Sequence, residues 1–404
     1  MEAHPIAMKP KIFALFLIFC LSLLAGKAQS DNGLAPEVTD LNAEDVSYER
    51  EKHLPYLEKP FFSLAPREKK DQLPVGTLGT DRGNKKLVLA YARKLAEKSE
   101  DPKSGKTDSL LIAYKGKLLF ESYFRRGRAN YPHYQMSITK SYTAMAVGRA
   151  VQLGYLSMED LNKPVVSFLK KLDRSKLTKG ADQITLHEAM HMSSGIRLPQ
   201  KKINQLIDQP ERLLGQGQVQ AYLQFSAPIS PYPREYKYQA SDPSITMQVL
   251  QSVVPGSAED FIRDELLKPM GIGNYQWQED LSGLPKSAAG SSLLSRDMIK
   301  MGLLVLDRGK WKGKQHLPEA FVKQATSSIV QTSPSNHYGY FWWRQTWKIG
   351  EADYPCIQGR GAGGQFIFVL PTLDLVIVAT AHNKGMGKML WEIPGFLIPA
   401  FHAK

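Results

Sequence analysis

The sequence predicts an α+β fold in which strands from both ends of the chain form one antiparallel sheet and helices are inserted between them. Residues 109–124 have the apolar pattern of a β-hairpin with its turn at Gly116, and residues 365–379 predict a second pair of strands. The segment between these pairs, from about residue 137 to residue 307, is mostly helical in pattern. We therefore expect an α/β sandwich with the functional site between the sheet and the helical part.

The start of the chain resembles a secretory signal. Lys9 and Lys11 precede an apolar run over residues 12–24, and small residues lead up to Ala28. We expect residues 1–28 to be removed by cleavage near Ala28 and the mature protein to be exported, either to the periplasm or outside the cell. The apolar run is shorter than the roughly 20 residues that span a bilayer, but its retention as a membrane anchor stays open.

The rest of the chain divides into two predicted regions. Residues 29–83 are rich in proline, glycine and charge, which is typical of an extended N-terminal segment. A helix predicted over residues 84–98 begins a single domain that runs over residues 84–404. The helical part of this domain, about residues 155–300, is inserted between the strands of the predicted sheet.

Composition places the chain among globular proteins and excludes several functions. Of its 404 residues, 43% are hydrophobic and 23% are charged, which is sufficient for a substantial core and excludes a disordered protein. The formal charge of +13 comes from scattered basic residues without a basic stripe between aromatic ones, so we expect no nucleic-acid partner. Association with anionic envelope polymers stays open, as does the oligomeric state. Cys20 and Cys356 lack metal-ligand spacing, and loss of the signal would leave one thiol and no intramolecular disulfide.

A Ser-x-x-Lys sequence, residues 137–140, stands at the start of an apolar segment that is predicted to be a buried helix. Ser137 and Lys140 would share one side of a helical turn, and the hydroxyl would lie in the positive field of the helix N-terminus. A lysine in such surroundings must find a partner or have its pKa lowered by desolvation. The pair therefore predicts a serine nucleophile that is activated by a neighbouring lysine.

Two further segments complete a constellation that resembles a known family. They are Tyr-Lys-Tyr-Gln-Ala-Ser-Asp at residues 236–242 and Gly-Arg-Gly-Ala-Gly-Gly-Gln at residues 359–365. With residues 137–140 they are similar to the three motifs of the serine hydrolases that include class C β-lactamases, penicillin-binding-protein-like DD-peptidases, β-lactamase-like esterases and 6-aminohexanoate-oligomer hydrolases. The resemblance covers about residues 75–400 and implies a β-lactamase/transpeptidase-like fold. It also implies hydrolysis of a small ester or amide through an acyl-enzyme, without a cofactor.

The resemblance assigns roles to individual residues. Ser137 would be the nucleophile, Lys140 its activator and Tyr238 the proton shuttle to the leaving group. A tyrosine, with an ordinary pKa of about 10, is a poor base near neutral pH. The shuttle therefore needs a nearby cation that favours the phenolate, and Lys140 is the natural candidate. The backbone N–H groups of Ser137 and Ala362 would form the oxyanion hole. The residues around Ala362 would contact substrate, namely Arg360, Gly361, Gly363, Gly364 and Gln365.

The chain also departs from the β-lactamase motifs. Gly359 stands where the family has the basic residue of Lys-Thr-Gly or His-x-Gly, and Ala240 stands where an asparagine is usual. These departures favour an esterase or amide hydrolase, with β-lactam or D-Ala-D-Ala hydrolysis kept as an alternative. Arg360 would replace the missing charge from the next position or, because side chains alternate along a strand, point away from the site.

Two other functions compete with the serine hydrolase. His187-Glu188-Ala189-Met190-His191 is a formal H-E-x-x-H, and Glu211 has a spacing compatible with a third zinc ligand, so a zinc metallopeptidase is an alternative. The predicted helix that carries the two histidines is short, however, because Ser193-Ser194-Gly195 follows closely. The other alternative is a fold without catalysis, retained as an envelope-binding or assembly module. The sequence leaves open the acyl group of the substrate and the choice between ester and amide.

Overall fold

The computed structural model describes residues 33–42, 45–97 and 105–402. The predicted signal over residues 1–28 lies outside the described residues, so its cleavage and export of the protein stay predictions. Across these three ranges, the helices are all too short or too polar to cross a membrane.

Helices make up most of the middle of the chain. The α-helices are α1 (Tyr48–Lys52), α2 (Lys85–Ala96), α3 (Ile138–Gln152), α4 (Leu186–Met190), α5 (Gln200–Ile207), α6 (Gly217–Phe225), α7 (Ser241–Val253), α8 (Ala258–Phe261), α9 (Ser295–Leu306), α10 (Glu319–Ala325) and α11 (Met389–Phe401). A π-helical turn over Ile262–Leu267 continues α8. Short 3-10 helices occur at Glu159–Asn162, Val165–Ser167, Arg174–Lys176, Ala181–Gln183, Pro210–Leu213, Lys268–Met270 and Pro371–Leu373.

Strands occur near both ends of the chain and also in its middle. They are β1 (Phe61–Ser63), β2 (Thr107–Tyr114), β3 (Lys117–Tyr123), β4 (His133–Tyr134), β5 (Tyr275–Trp277), β6 (Ser291–Leu293), β7 (Lys310–Trp311), β8 (Lys314–Gln315), β9 (Val330–Ser333), β10 (Asn336–Tyr338), β11 (Trp343–Ile349), β12 (Ala352–Gly361), β13 (Gln365–Leu370) and β14 (Leu375–Ala381). The main sheet is antiparallel, with the order β1-β3-β2-β14-β13-β12-β11-β10-β9. Smaller sheets pair β4-β6-β5 and β7-β8.

The two faces of the main sheet pack against different helices, because side chains alternate along each strand. On β2, Leu110 and Ile112 join the cluster that contains residues of α2 and α11. Leu111 and Ala113 face the other way, into the cluster that contains residues of α3, α7 and α9. The sheet is therefore covered on both sides, and the helical part of the chain forms the thicker layer.

The predicted pairing of the two chain ends is confirmed. β2 and β3 form a hairpin whose turn residues Lys115 and Gly116 have positive φ, 46° and 78°. β14 lies directly beside β2, so the C-terminal hairpin completes the central part of the sheet. The α+β, β-lactamase/transpeptidase-like fold class predicted from the sequence is thus correct.

Strands β9 to β12 were not predicted from the sequence. They place the glycine-rich motif at the turn between two strands instead of at the start of the first C-terminal strand. Residues 359–365 were expected to open the first C-terminal strand, whereas Gly361 ends β12 and pairs with Gln365, the first residue of β13. Gly363 and Gly364 form the turn between them, with φ of 89° and 102° that side chains rarely adopt. β12 escaped prediction because Pro355 and two glycines interrupt its apolar pattern.

The segment predicted as an N-terminal extension packs against the sheet. Its strand β1 pairs with β3 at one edge, and Val75 bridges to Leu118. Leu73 and Leu78 are buried in the two core clusters. This segment therefore covers an edge that would otherwise expose unpaired backbone groups.

Candidate active site

Ser137 lies at the N-terminus of the buried helix α3, after a backbone turn of uncommon conformation. Met136 has φ of 49°, in the left-handed region that costs energy for a side chain with a Cβ atom. Ser137 itself is helical, and its hydroxyl does not cap the helix. Its Oγ atom instead accepts a hydrogen bond from Lys140 Nζ at 3.0 Å. The predicted Ser-Lys pair therefore forms within one helical turn.

Lys140 is buried without a carboxylate partner among the described residues. Only 4% of its surface is exposed, and Nζ donates to the Ala288 carbonyl at 2.6 Å as well as to Ser137. Burial lowers the pKa of Lys140 to about 7. The amine is thus about half neutral at pH 7, and in that form it can accept the proton of the serine hydroxyl.

Tyr238 lies beside this pair on the loop that connects α6 to α7. The loop is held by the N–H of Lys237, which donates to the Met192 carbonyl at 2.8 Å. Lys140 Nζ lies 4.7 Å from the centroid of the Tyr238 ring, within the range of a cation–π contact. The three residues assigned to catalysis from the sequence therefore lie together.

The pKa of Tyr238 differs from the sequence-based expectation. Desolvation raises it above the usual value of tyrosine, although 40% of the residue is exposed, and interactions with Ser137 and with the charge of Arg360 offset this only in part. The charge of Arg360 thus favours the phenolate, as a nearby cation should, but it does not bring the pKa of Tyr238 below its usual value. The expected contribution of Lys140 to lowering this pKa finds no support. Lys140 is itself buried and readily neutral, so Tyr238 keeps its proton and Lys140 is the better base.

The two N–H groups assigned to the oxyanion hole are both unpaired. In the described ranges, neither Ser137 N–H nor Ala362 N–H donates to an acceptor of the protein. A Cβ atom at Gly361 would lie 2.4 Å from the Gln135 carbonyl oxygen, so only glycine lets the end of β12 approach the segment before Ser137 this closely. The geometry thus leaves two backbone donors available for developing negative charge.

Gln365 holds the turn that carries Ala362. Its side chain is buried, and Nε2 donates to the carbonyls of Ala362 at 3.1 Å and Ala381 at 2.5 Å, while Oε1 accepts from Ala381 N–H at 3.1 Å. Gly363 and Gly364 supply the positive φ angles of the same turn. Gln365, predicted to contact substrate, thus uses its side-chain amide to hydrogen-bond backbone groups and positions Ala362.

Arg360 lies over the Trp343 ring, 4.7 Å from its centroid, and is already engaged. Its guanidinium donates to Gln358 Oε1 at 2.6 Å, Asn336 Oδ1 at 2.8 Å and Gln345 Oε1 at 3.1 Å. The space beside Gly359 faces Ile138 and Trp342 instead. Because side chains alternate along β12, the idea that Arg360 supplies the missing strand-motif charge is not supported. Arg360 acts on the site only through its electrostatic effect on Tyr238.

The H-E-x-x-H segment does not form a metal site. His187 Nδ1 is hydrogen-bonded to the Tyr340 hydroxyl at 2.6 Å, and His191 Nδ1 donates to the His187 carbonyl at 2.7 Å. Glu188 caps α4 and forms an ion pair with Arg234, while Glu211 lies exposed in a 3-10 helix. Over the described ranges, no three His, Cys, Asp or Glu side chains converge as metal ligands. The zinc alternative therefore lacks its ligand set.

Removal of metal should leave activity intact. We expect a purified sample treated with EDTA and o-phenanthroline to retain its hydrolytic rate, because the groups placed for chemistry are an amine, a hydroxyl and a phenol. Metal analysis of the same sample provides the control. One zinc per chain, together with activity that disappears on chelation and returns with zinc, would contradict this prediction.

Two residues that support the site escaped the sequence analysis. Ala288 contributes only its carbonyl oxygen, which leaves no trace in the side-chain pattern. Asp242 is fully buried, and its Oδ1 atom accepts from Ser194 Oγ at 2.7 Å, Gln239 Nε2 at 2.8 Å and Ser241 Oγ at 3.0 Å. Its position as the last residue of the tyrosine motif was the available signal.

Substitution of Asp242 should weaken both the fold and the site. Burial raises the pKa of this carboxyl to about 6, and its loss would leave three buried donors without their acceptor. We expect Asp242→Ala to lower the free energy of unfolding by about 3 kcal/mol and to reduce kcat, because Gln239 adjoins Tyr238. Asp242→Asn, which keeps one oxygen, should lose less. Chemical denaturation measures the stability of both variants. Equal stability of Asp242→Ala and wild type would refute the supporting role of Asp242.

The fold and its family are established by comparison with known proteins. The sheet with helices on both faces is a β-lactamase/transpeptidase-like fold. The family model described as Beta-lactamase matches residues 96–389, and the chain belongs to this family of serine hydrolases. The comparison with curated proteins found no match.

Solved structures of low sequence identity share this fold. A protein from Bacillus anthracis, assigned as a 6-aminohexanoate-dimer hydrolase, has 17% identity and a TM-score of 0.63, and the match covers 89% of this chain and 93% of that one. A class C β-lactamase has 15% identity and a TM-score of 0.62, with 79% and 97% of the chains covered. EstCE1, a hydrolase with promiscuous acyltransferase activity, has 14% identity and a TM-score of 0.59, with 77% and 98% covered.

Proposed function

We propose that the protein is a serine hydrolase that cleaves a small ester or amide through an acyl-enzyme on Ser137. The observation that carries the proposal is the contact of 3.0 Å between Lys140 Nζ and Ser137 Oγ, at a buried lysine whose pKa is about 7. Burial of a charged lysine without a carboxylate partner costs free energy, and lysines with such lowered pKa values cluster at functional sites, where the neutral amine is used. Membership of a serine hydrolase family supports the same chemistry.

In the proposed mechanism, neutral Lys140 accepts the Ser137 proton as Oγ attacks the substrate carbonyl carbon. The N–H groups of Ser137 and Ala362 stabilise the oxyanion. Tyr238, which interacts with Ser137 and lies beside Lys140, passes the proton held by Lys140 to the departing alcohol or amine. Water then gives a proton to neutral Lys140 as it attacks the acyl-enzyme, this proton passes to Ser137 Oγ as the acyl C–O bond breaks, and the carboxylic acid leaves.

The surroundings of the strand motif favour a neutral substrate over a carboxylate-bearing one. Gly359 carries no charge, and Nε and Nη2 of Arg360 already donate to amide oxygens. A charge-assisted hydrogen bond to a carboxylate contributes about 1.5 to 3 kcal/mol, roughly ten- to a hundredfold in recognition. We therefore favour an esterase or amidase over a β-lactamase or DD-peptidase.

Hydrolysis of β-lactams should consequently be weak. We expect kcat/KM for nitrocefin to lie about ten- to a hundredfold below that for p-nitrophenyl acetate, because Gly359 provides no cation for the substrate carboxylate. Absorbance assays on one enzyme preparation compare the two rates. Nitrocefin turnover equal to ester turnover would overturn the preference, and Gly359→Lys should then have no further effect.

The central test is labelling of the nucleophile. The protein should hydrolyse p-nitrophenyl acetate, and a fluorophosphonate should stop the reaction and add one equivalent to Ser137, as located by peptide mass spectrometry. Modification of a different serine with loss of activity would refute the assignment. Absence of both labelling and turnover would favour the non-catalytic envelope-binding module instead.

A further inference from the structure

A mostly apolar cavity of about 620 Å³ lies next to the proposed catalytic residues. Its apolar walls come from the segment around α5 and from α6, and they include Leu198, Ile203, Leu206, Leu213 and Tyr222. Residues 279–288 form a further wall, which carries the charged side chains of Glu279, Asp280 and Lys286. Cavities of about 300 to 1,000 Å³ with such walls hold small organic ligands. The volume is thus sufficient for a substrate chain and not merely for a few water molecules.

The cavity adjoins the proposed catalytic residues through three residues of its lining. Ala288, whose carbonyl accepts from Lys140 Nζ, is part of its lining. Ala240, two residues after Tyr238, and Ser244, on the first turn of α7, line it as well. A group attached to a carbonyl at Ser137 would therefore enter the cavity past Lys140 or Tyr238.

Two features of the lining indicate that the cavity holds a ligand. Gln218 Oε1 and Ser287 Oγ are buried without a hydrogen-bond partner in the described part of the chain, which is costly unless an occupant supplies one. Ile207, at the end of α5, is an apolar side chain of the lining that stays 56% exposed. An apolar chain in the cavity would cover Ile207. A hydroxyl or amide group on the same occupant would supply a hydrogen-bond partner for Gln218 Oε1 or Ser287 Oγ.

We propose that this cavity binds an unbranched apolar chain of the substrate, so that the enzyme prefers esters of medium chain length to acetates. The proposal rests on the proposed function, because it assigns specificity to the same serine hydrolase site. Burial of each methylene contributes about 0.8 kcal/mol, which corresponds to about fourfold in kcat/KM per methylene until the cavity is filled. The chain belongs to the acyl group or to the alcohol, since the lining includes both Ala288, whose carbonyl accepts from Lys140, and Ala240, two residues after Tyr238.

The test measures chain-length preference in two substrate series on the full chain. p-Nitrophenyl acetate, butyrate and octanoate vary the acyl group, and ethyl acetate against octyl acetate varies the alcohol. We expect kcat/KM to rise at least about tenfold along one of the series. Ile203→Trp, and independently Leu198→Trp, should fill the cavity and bring that ratio to about one. Leu214→Trp is the matched control, because Leu214 is 64% exposed and outside the lining, and it should keep the wild-type ratio.

The outcomes separate this proposal from the function on which it rests. A ratio near one in both series, with acetate hydrolysed and Ser137 labelled, would overturn the cavity proposal alone. A preference that persists in both folded tryptophan variants, as judged by thermal unfolding, would overturn it as well. Failure to hydrolyse any ester together with an unlabelled Ser137 would instead overturn the proposed function.

Discussion

Replacement of the nucleophile, Ser137→Ala, is expected to lower kcat for p-nitrophenyl acetate by about 10⁴-fold or more, the scale seen when a covalent nucleophile is removed. The protein should still fold, because the Ser137 hydroxyl does not cap α3 and its partners in the site are Lys140 and Tyr238. Stopped assays at high enzyme concentration measure the residual rate. Circular dichroism and thermal unfolding verify the fold.

A second serine on the same helix provides the control. Ser141 is buried one residue after Lys140, and its hydroxyl donates to the Phe341 carbonyl at 2.7 Å, away from the Ser137 hydroxyl. Ser141→Ala should keep kcat within a few fold and lose about 1 kcal/mol of stability. If Ser137→Ala retained more than a tenth of the wild-type rate while Ser141→Ala lost activity, the nucleophile would have been misassigned.

The sequence predicted the parts of the fold that depend on local pattern. The hairpin around Gly116 and the pairing of its strand β2 with β14 follow from strong apolar runs, which any buried strand must have. Strand β12 lacked such a run because Pro355 and two glycines interrupt it, and one of these glycines, Gly361, allows the close approach to Gln135. A segment shaped by close approach has a weak secondary-structure pattern, so its strand had to be seen in three dimensions.

The candidate site shows the same division. Ser137, Lys140 and Tyr238 carry distinctive side chains, and the structure brings them together as expected. What the sequence could not predict are quantities that depend on burial, above all the relative pKa values of Lys140 and Tyr238. The direction of Arg360 is of the same kind, because a strand position leaves two faces open until the neighbouring strands are known.

These two pKa values decide which group takes the serine proton. Near neutral pH, the amine of Lys140 changes between its charged and neutral forms, whereas burial keeps Tyr238 protonated. A general base works best when its pKa is close to the operating pH. Lys140 meets this condition and Tyr238 does not, so the ascending limb of the pH profile should belong to the lysine.

Activity should therefore increase as the pH rises through about 7, and this increase should depend on Lys140. Burial lowers the pKa of this amine to about 7, so the neutral form that accepts a proton predominates only above that pH. kcat/KM measured from pH 5 to pH 9 should rise about tenfold per pH unit below pH 7 and then level off. Lys140→Arg cannot become neutral in this range, and it should lower kcat/KM by about a thousandfold or more.

Tyr238→Phe separates the two candidate bases. It removes the phenol that relays the proton to the leaving group, so kcat should fall by about a hundredfold, but the limb near pH 7 should persist because Lys140 still titrates. If Tyr238 were the base, the limb would disappear in Tyr238→Phe and remain in Lys140→Ala. A wild-type profile without inflection between pH 6 and pH 8 would contradict the assignment of Lys140 as the base. The buried lysine could then not be the group whose neutral form starts the reaction.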